Sequence, residues 1–272
     1  MTTRGSAALP WILLAGAIAA QIAYPLTDGA ARDRVTVAVV VLLAATCLVH
    51  ATLHRGARWA AALFGITAGV GYASEVLGTS TGYPYGCYAY AVDRLGPSVF
   101  DVPLVVPLAW TAGMYPIWCV ASRIFPRPAA RLAAVTVAMV GWDLYLDPQM
   151  VADGQWTWCH GGGLPGIEHI PLTNYAGWTV VAAMMALALY AVDRRAGALS
   201  PRGDAVPTVL FLWTWLGSAL AHSVFLDAPE LRWSALYGAV VMGTLGVPLL
   251  GKWAVRRQRE ARRRRAASGR VV

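Results

Sequence analysis

The sequence carries little charge. Of its 272 residues, 13% are Asp, Glu, Lys or Arg, which is about half of the roughly 25% that is typical of soluble domains. Instead, 57% of the residues are hydrophobic, the mean hydropathy is +0.52, and the apolar residues form long runs. The shortage of charge excludes an ordinary soluble domain, and the long runs indicate a membrane protein with several spans.

Cysteine is also scarce, and the cysteines and histidines lack the spacing of a metal site. None of the four cysteines belongs to a Cys-x-x-Cys pair. Cys159, His160 and His169 have no convincing fourth zinc ligand, and His50 and His54 have no acid beside them. We therefore predict no metal site.

The four cysteines occur in two kinds of surroundings. Cys47 and Cys119 lie inside apolar runs, where they are predicted to be small apolar side chains. Cys87 and Cys159 lie in predicted loops, where they would form a disulfide in an oxidising compartment. The sequence leaves that pairing open.

Eight apolar segments are long enough, or nearly so, to cross a bilayer, which takes about 20 residues. The first segment ends in YPLTDG without a small-x-small cleavage site, so we predict a helix there rather than a signal peptide. The predicted spans are 9–26, 35–53, 59–75, 102–124, 131–147, 175–192, 205–226 and 233–253.

The positive charges are distributed unevenly between the two sides of this predicted bundle. With eight spans, 18 of the 22 Lys and Arg residues fall on the side that holds both termini, and the positive-inside rule makes that side cytoplasmic. The predicted fold is therefore an all-α polytopic protein of the bacterial cytoplasmic membrane. It comprises a transmembrane domain over 1–253 and a basic cytoplasmic tail over 254–272.

The tail is rich in arginine and is predicted to lie in solvent or against anionic lipid headgroups. Because no recognisable folded module accompanies this basic run, nucleic-acid binding is not expected.

Most acidic residues lie on the opposite, outer side, and three of them end predicted helices. Glu75 ends the third helix, whereas Asp143 and Asp147 end the fifth. An ionisable group costs about 2.5–3.5 kcal/mol at the bilayer centre and less near the interface, and it normally marks a function. Since residues i and i+4 share a helix face, we predict that Asp143 and Asp147 look into one cavity. His222 is predicted to lie at the same depth.

Two outer loops are unusually long. They span 77–101 and 148–177 and are rich in Gly, Pro, Tyr and Trp, and the second contains no Lys or Arg. Long loops of this kind are usually functional lids or disordered, and the aromatic content argues against disorder. We predict that both loops fold back over the outer mouth of the bundle.

Four stretches, taken in order, resemble one protein family. They are YASEVLGTSTGYPYGCYAY (72–90), VPLVVPLAWTAGMYPIW (102–118), WDLYLDPQMVADGQWTW (142–158) and GIEHIPLTNYAGW (166–178). They resemble the CruF-type membrane proteins of carotenoid biosynthesis, which include carotenoid 1,2-hydratases and bisanhydrobacterioruberin hydratases. The resemblance implies a hydro-lyase that needs no cofactor and adds water to the terminal C1–C2 double bond of an acyclic carotenoid. It also implies the carotenoid, water, membrane lipids and other enzymes of the pathway as partners.

This chemistry assigns roles to the outer polar residues. Hydration needs an acid that protonates C2 and a base that directs water to the tertiary cation at C1. We predict Asp143 or Glu75 as the acid, Asp147 as the residue that steers water, and Asn174 as a hydrogen-bond partner of the water or the new hydroxyl. Aromatic faces stabilise cations. The other predicted substrate-binding residues are Tyr72, Trp110, Trp142, Tyr145, Trp178 and His222.

Three alternatives stay open at this point. A carotenoid cyclase would form the same cation and quench it intramolecularly in a dry pocket. A prenyltransferase-like enzyme would use the D-x-x-x-D pattern of DLYLD to hold Mg²⁺ and a diphosphate, although no basic residues lie near it. A carotenoid-binding or proton-coupled transport protein would use intramembrane acids without changing the carotenoid, although no inverted repeat is visible.

Overall fold

The described part of the chain forms an all-α bundle of eight long helices. The structure, a computed structural model, describes residues 3–196 and 203–268. The helices are α1 (Thr3–Ala23), α2 (Gly29–Arg55), α3 (Ala57–Thr81), α4 (Val106–Ile124), α5 (Pro128–Ala152), α6 (Leu172–Ala196), α7 (Ala205–Phe225) and α8 (Leu231–Ser268). The prediction of an all-α polytopic membrane protein with about eight helices is confirmed.

Seven of these helices are long and apolar enough to cross a membrane. The remaining one, α4, lies inside the bundle. Every residue from Trp110 to Ala121 of α4 is buried, and the helix packs against α2, α3, α5 and α7. A helix surrounded by protein needs no continuous apolar surface for lipid. Its Trp, Tyr, Thr and Pro residues are therefore compatible with a central position.

Helix α7 departs from regular α geometry. Its residues Trp213–Gly217 and Ala221–Phe225 form π-helical turns on either side of a short α segment. Such turns are rare in proteins, and those that occur are often at functional sites.

In the described chain, the segments that join α3 to α4 and α5 to α6 contain four short strands: β1 (Tyr88–Tyr90), β2 (Ser98–Val99), β3 (Val102–Pro103) and β4 (Trp156–Trp158). Strands β1 and β4 pair antiparallel, and β2 pairs with β3. Beside the first pair, Cys87 and Cys159 form a disulfide with their Cα atoms 5.4 Å apart. We refer to the β1–β4 pair as the lid, and to the end of the bundle that it covers as the outer end, following the predicted orientation.

A cluster of charged groups fastens both loops to the start of α2. In the first loop, Arg94 Nη2 lies 2.7 Å from Asp33 Oδ1, and it also contacts Asp153 of the second loop. Gln155 donates 2.7 Å hydrogen bonds to Asp33 and Asp153, and Arg32 pairs with Asp153 at 3.1 Å. The loops are therefore tied to the bundle as well as to each other.

Helix α8 continues without a break through the predicted domain boundary after residue 253. The Lys252 ammonium donates to the carbonyls of Arg123 and Ile124 at the end of α4, at 3.1 and 2.9 Å. The helix then extends to Ser268, so the start of the basic tail has the same helical conformation as the last span.

Candidate active site

Three helices and the lid bring the predicted carboxylates together. Glu75 comes from the outer half of α3, Asp143 and Asp147 from α5, and Asn174 from the first turn of α6. All four are buried, with exposures of 6, 1, 2 and 2% respectively, and they line one cavity of about 70 Å³. Among the described residues that line this acid cavity, none is Lys or Arg.

The two aspartates are joined by one amide. Asn174 Nδ2 donates to Asp143 Oδ2 at 2.9 Å and to Asp147 Oδ2 at 2.8 Å. The i,i+4 spacing places the two carboxylates on one helix face, as predicted, and Asn174 fixes their separation from the neighbouring helix. In the structure Asn174 therefore positions the carboxylates, and its amide hydrogens are already used.

The lid supplies donors to Asp147. Trp156 Nε1 lies 2.5 Å from Asp147 Oδ1, and Trp158 Nε1 lies 3.3 Å from the same oxygen. Side chains alternate faces along a strand, so both tryptophans of β4 point to the same side. With Asn174 on Oδ2, Asp147 accepts three hydrogen bonds.

Glu75 is held in the same way by the other lid strand. Tyr88 and Tyr90 of β1 donate to Glu75 Oε2 at 2.5 and 2.8 Å, and Trp110 Nε1 donates to Oε1 at 3.2 Å. Burial, followed by the neighbouring Glu75 carboxylate, raises the pKa of both phenols. Tyr88 and Tyr90 therefore stay protonated and act as hydrogen-bond donors.

Asp143 has different surroundings from the other two acids. Within the described chain it accepts one side-chain hydrogen bond, from Asn174 to Oδ2, and none reaches its other oxygen. Glu75 and Asp147 each accept three. Because donors favour the ionised form of a carboxyl group, the three acids are not equivalent.

Tryptophan faces form one wall of the acid cavity. The Trp110 and Trp178 rings stack with centroids 3.9 Å apart, and Trp142 meets Trp178 edge-on at 5.7 Å. A Cβ at Gly71 or Gly113 would come within 2.5 Å of Trp110 or Trp142, so these helix positions give the indoles room.

Three of the predicted binding residues do not line this cavity. Tyr72 donates to the Val99 carbonyl at 2.9 Å, outside the cavity. Tyr145 donates to the Trp215 carbonyl at 3.0 Å from another face of α5. His222 is buried behind Tyr145, where it contacts Ser234 Oγ at 2.9 Å and Gln149 Oε1 at 3.0 Å. All three therefore lie outside the acid cavity, each against a different neighbour, and their part in substrate binding stays a prediction.

Four lid residues in contact with the acids were absent from the predicted site: Tyr88, Tyr90, Trp156 and Trp158. A signal was present, because YAY and WTW each place aromatic residues two apart next to a cysteine. Alternation with period two is typical of strands. The pairing of Tyr88 with Trp158 and of Tyr90 with Trp156 turns the four side chains toward the acids.

Comparisons with known proteins place the chain in a family. A family model described as carotenoid biosynthesis protein matches residues 35–245, which is most of the chain. The bisanhydrobacterioruberin hydratase of Haloarcula japonica is 34% identical over 112 residues, covering 39% of this chain and 36% of that relative. No solved structure matches the chain. Because the family model covers more than half of its length, the chain belongs to the carotenoid biosynthesis protein family.

Proposed function

We propose that this protein is a carotenoid hydratase that adds water across the terminal C1–C2 double bond of an acyclic carotenoid end. The observation that carries the proposal is that the buried acids accept different numbers of hydrogen bonds. Asp143 has one donor and lies beside Asp147 and Glu75, which have three each. The distant hydratase relative supports the same reaction class.

The general acid in this proposal is Asp143. A carboxyl group in a low-dielectric site, near other carboxylates and with few donors, favours its neutral form. Asp143 transfers its proton to C2 of the terminal double bond, and the electron pair of that bond forms the new C–H bond. A tertiary cation remains at C1, next to the ionised Asp143.

The cation has two sources of stabilisation in the cavity. The faces of Trp110, Trp142 and Trp178 present negative quadrupole density. The carboxylates of Glu75 and Asp147, which neutral donors hold in place, supply negative charge without a competing cation.

Asp147 acts as the base for water. A carboxylate has about four acceptor positions, so Asp147 retains one when three are occupied. A water molecule held there adds its oxygen to C1 and gives one proton to Asp147. The product is a tertiary alcohol, and return of that proton from Asp147 to Asp143 restores the starting state, so the cycle needs no redox partner.

The test is expression in cells that accumulate lycopene or a longer acyclic carotenoid, with the pigments analysed by chromatography and mass spectrometry. A product heavier by one water with an unchanged chromophore is expected. A pigment of unchanged mass with a shorter chromophore would instead identify a cyclase. Unaltered pigment in every strain, with the protein verified in the membrane, would overturn the hydratase and favour a carrier.

A further inference from the structure

A second cavity adjoins the acid cavity. It has a volume of about 170 Å³ and lies among α1, α2, α4, α5 and α7. The two cavities share six lining residues: Thr36, Val40, Ala109, Trp142, Leu146 and Met150. They are therefore neighbouring compartments with a common wall, in which Trp142 faces both.

The second cavity has the surface of a site for an apolar chain. Its sides include Val39 and Leu43 of α2 and Ala112 of α4. The amide oxygens of two polar lining residues, Gln21 and Gln149, are engaged by Trp213 Nε1 at 2.8 Å and by His222 Nε2 at 3.0 Å. Most of the cavity surface is hydrocarbon, as expected of a site for an apolar ligand.

The wall formed by α7 is the irregular one. Trp213, Thr214, Gly217, Ser218 and Ala221 line the cavity and fall in or between the two π turns. Helix α1 packs along α2 but has much less contact with α7. The Trp213–Gln21 hydrogen bond joins α1 to α7 at this side, so its opening would connect the cavity to the lipid.

We propose that this second cavity binds the polyene chain of the carotenoid whose end group reaches the acid cavity, and that the chain enters from the bilayer between α1 and α7. This inference rests on the proposed function for its substrate class. In this arrangement, the acid cavity binds the terminal isoprenoid unit and the second cavity binds the conjugated chain and sets its orientation. Trp142 lies at the boundary between the two cavities.

The test narrows the second cavity from two opposite walls. Ser218→Phe on α7 and Leu43→Trp on α2 place bulk in it. The matched controls are Leu220→Phe and Val41→Trp, because these side chains are 55 and 45% exposed on the same helices and line neither cavity. All four variants are purified from carotenoid-producing cells, and the retained pigment is measured together with hydration of a full-length carotenoid. Hydration of a short acyclic terpene with the same end group is measured in parallel.

The cavity-filling variants are expected to lose at least about tenfold in retained pigment and in hydration of the full-length carotenoid. Their hydration of the short terpene should stay within about twofold of the wild-type rate. Both control variants should stay within the same range with either substrate. Pigment retention equal to that of the controls would overturn the assignment, as would an equal loss with both substrates. Pigment retention does not depend on catalysis, so it decides the matter even if the wild-type protein hydrates neither compound and the proposed function fails.

Discussion

Buried acids occur near both ends of the bundle, with opposite partners. At the inner end, Asp204 Oδ1 lies 3.5 Å from Arg55 Nη2, and the two side chains are 7 and 10% exposed. The Arg55 guanidinium also lies 4.8 Å from the centre of the Trp59 ring. At the outer end, Glu75, Asp143 and Asp147 form no ion pair within the described residues, and their hydrogen-bond donors are all neutral groups.

This difference separates a structural use of buried charge from a chemical one. Burial raises the pKa of the Asp204 carboxyl, and the Arg55 guanidinium opposes that rise and so favours the ionised form over proton donation. Three carboxyl groups without a cation cannot all be ionised at low cost, and the group with the fewest donors is the natural holder of a proton. Variants at the two ends of the bundle should therefore behave differently.

The largest effect is expected for Asp143→Asn. The variant should fold and reach the membrane, because the amide matches the carboxyl in size, but it has no acidic proton to give. Loss of a general acid typically costs about 10²–10⁴-fold in rate. Hydration of the carotenoid by purified protein measures the loss. The control is Asp93→Asn, which changes an exposed outer acid at a positive-φ position that tolerates asparagine. A fully active Asp143→Asn protein would remove Asp143 from the role of acid.

A large effect of another kind is expected for Arg55→Met at the inner end. Removing one partner leaves Asp204 buried without its cation, which costs about 3–5 kcal/mol of stability. Thermal unfolding in detergent should show a lower midpoint, whereas the hydration rate per folded molecule should stay near that of the wild type. Arg58→Met changes an exposed arginine on the next helix and should alter neither quantity. Loss of rate without loss of stability would break the distinction between the two ends.

A smaller effect is expected from the lid. Trp156→Phe removes the short hydrogen bond to Asp147 and keeps an aromatic ring, which should lower the hydration rate by about tenfold, since a bond to a charged group is worth roughly 1.5–3 kcal/mol. Trp158→Phe removes the longer bond of 3.3 Å to the same oxygen and should cost less. Single-turnover rates of the two variants compare these contributions. Equal rates for wild type and Trp156→Phe would show that the lid donor has no part in the reaction.

The helices and the acid cluster are accessible from the sequence because they depend on local patterns. Apolar runs reveal the spans, and the i,i+4 spacing of Asp143 and Asp147 places them on one face. Because α3 and α5 both run from the inner to the outer end of the bundle, Glu75 is then expected at the same depth as the two aspartates. Even α4 is found as an apolar run, although its composition reflects packing inside the bundle rather than contact with lipid.

The lid donors depend on pairing between distant segments, so the sequence points to them much less directly. Tyr88 and Trp158 meet only because two loops fold together, beside a disulfide that spans 72 residues. Tyr145 lies two residues from each aspartate, which is about 200° around a helix. Its side chain therefore faces away from the acid cavity and lines the second cavity.

The most direct test of the proposed reaction is product analysis with isotopically labelled water. Purified protein is incubated with an acyclic carotenoid in H₂¹⁸O, and the pigment is analysed by mass spectrometry. The expected product is a tertiary alcohol with an unchanged chromophore and one labelled oxygen per hydrated end, formed by the wild type and absent with Asp143→Asn. A product without labelled oxygen, or one of unchanged mass with a shorter chromophore, would contradict hydration as the function of the acid cavity.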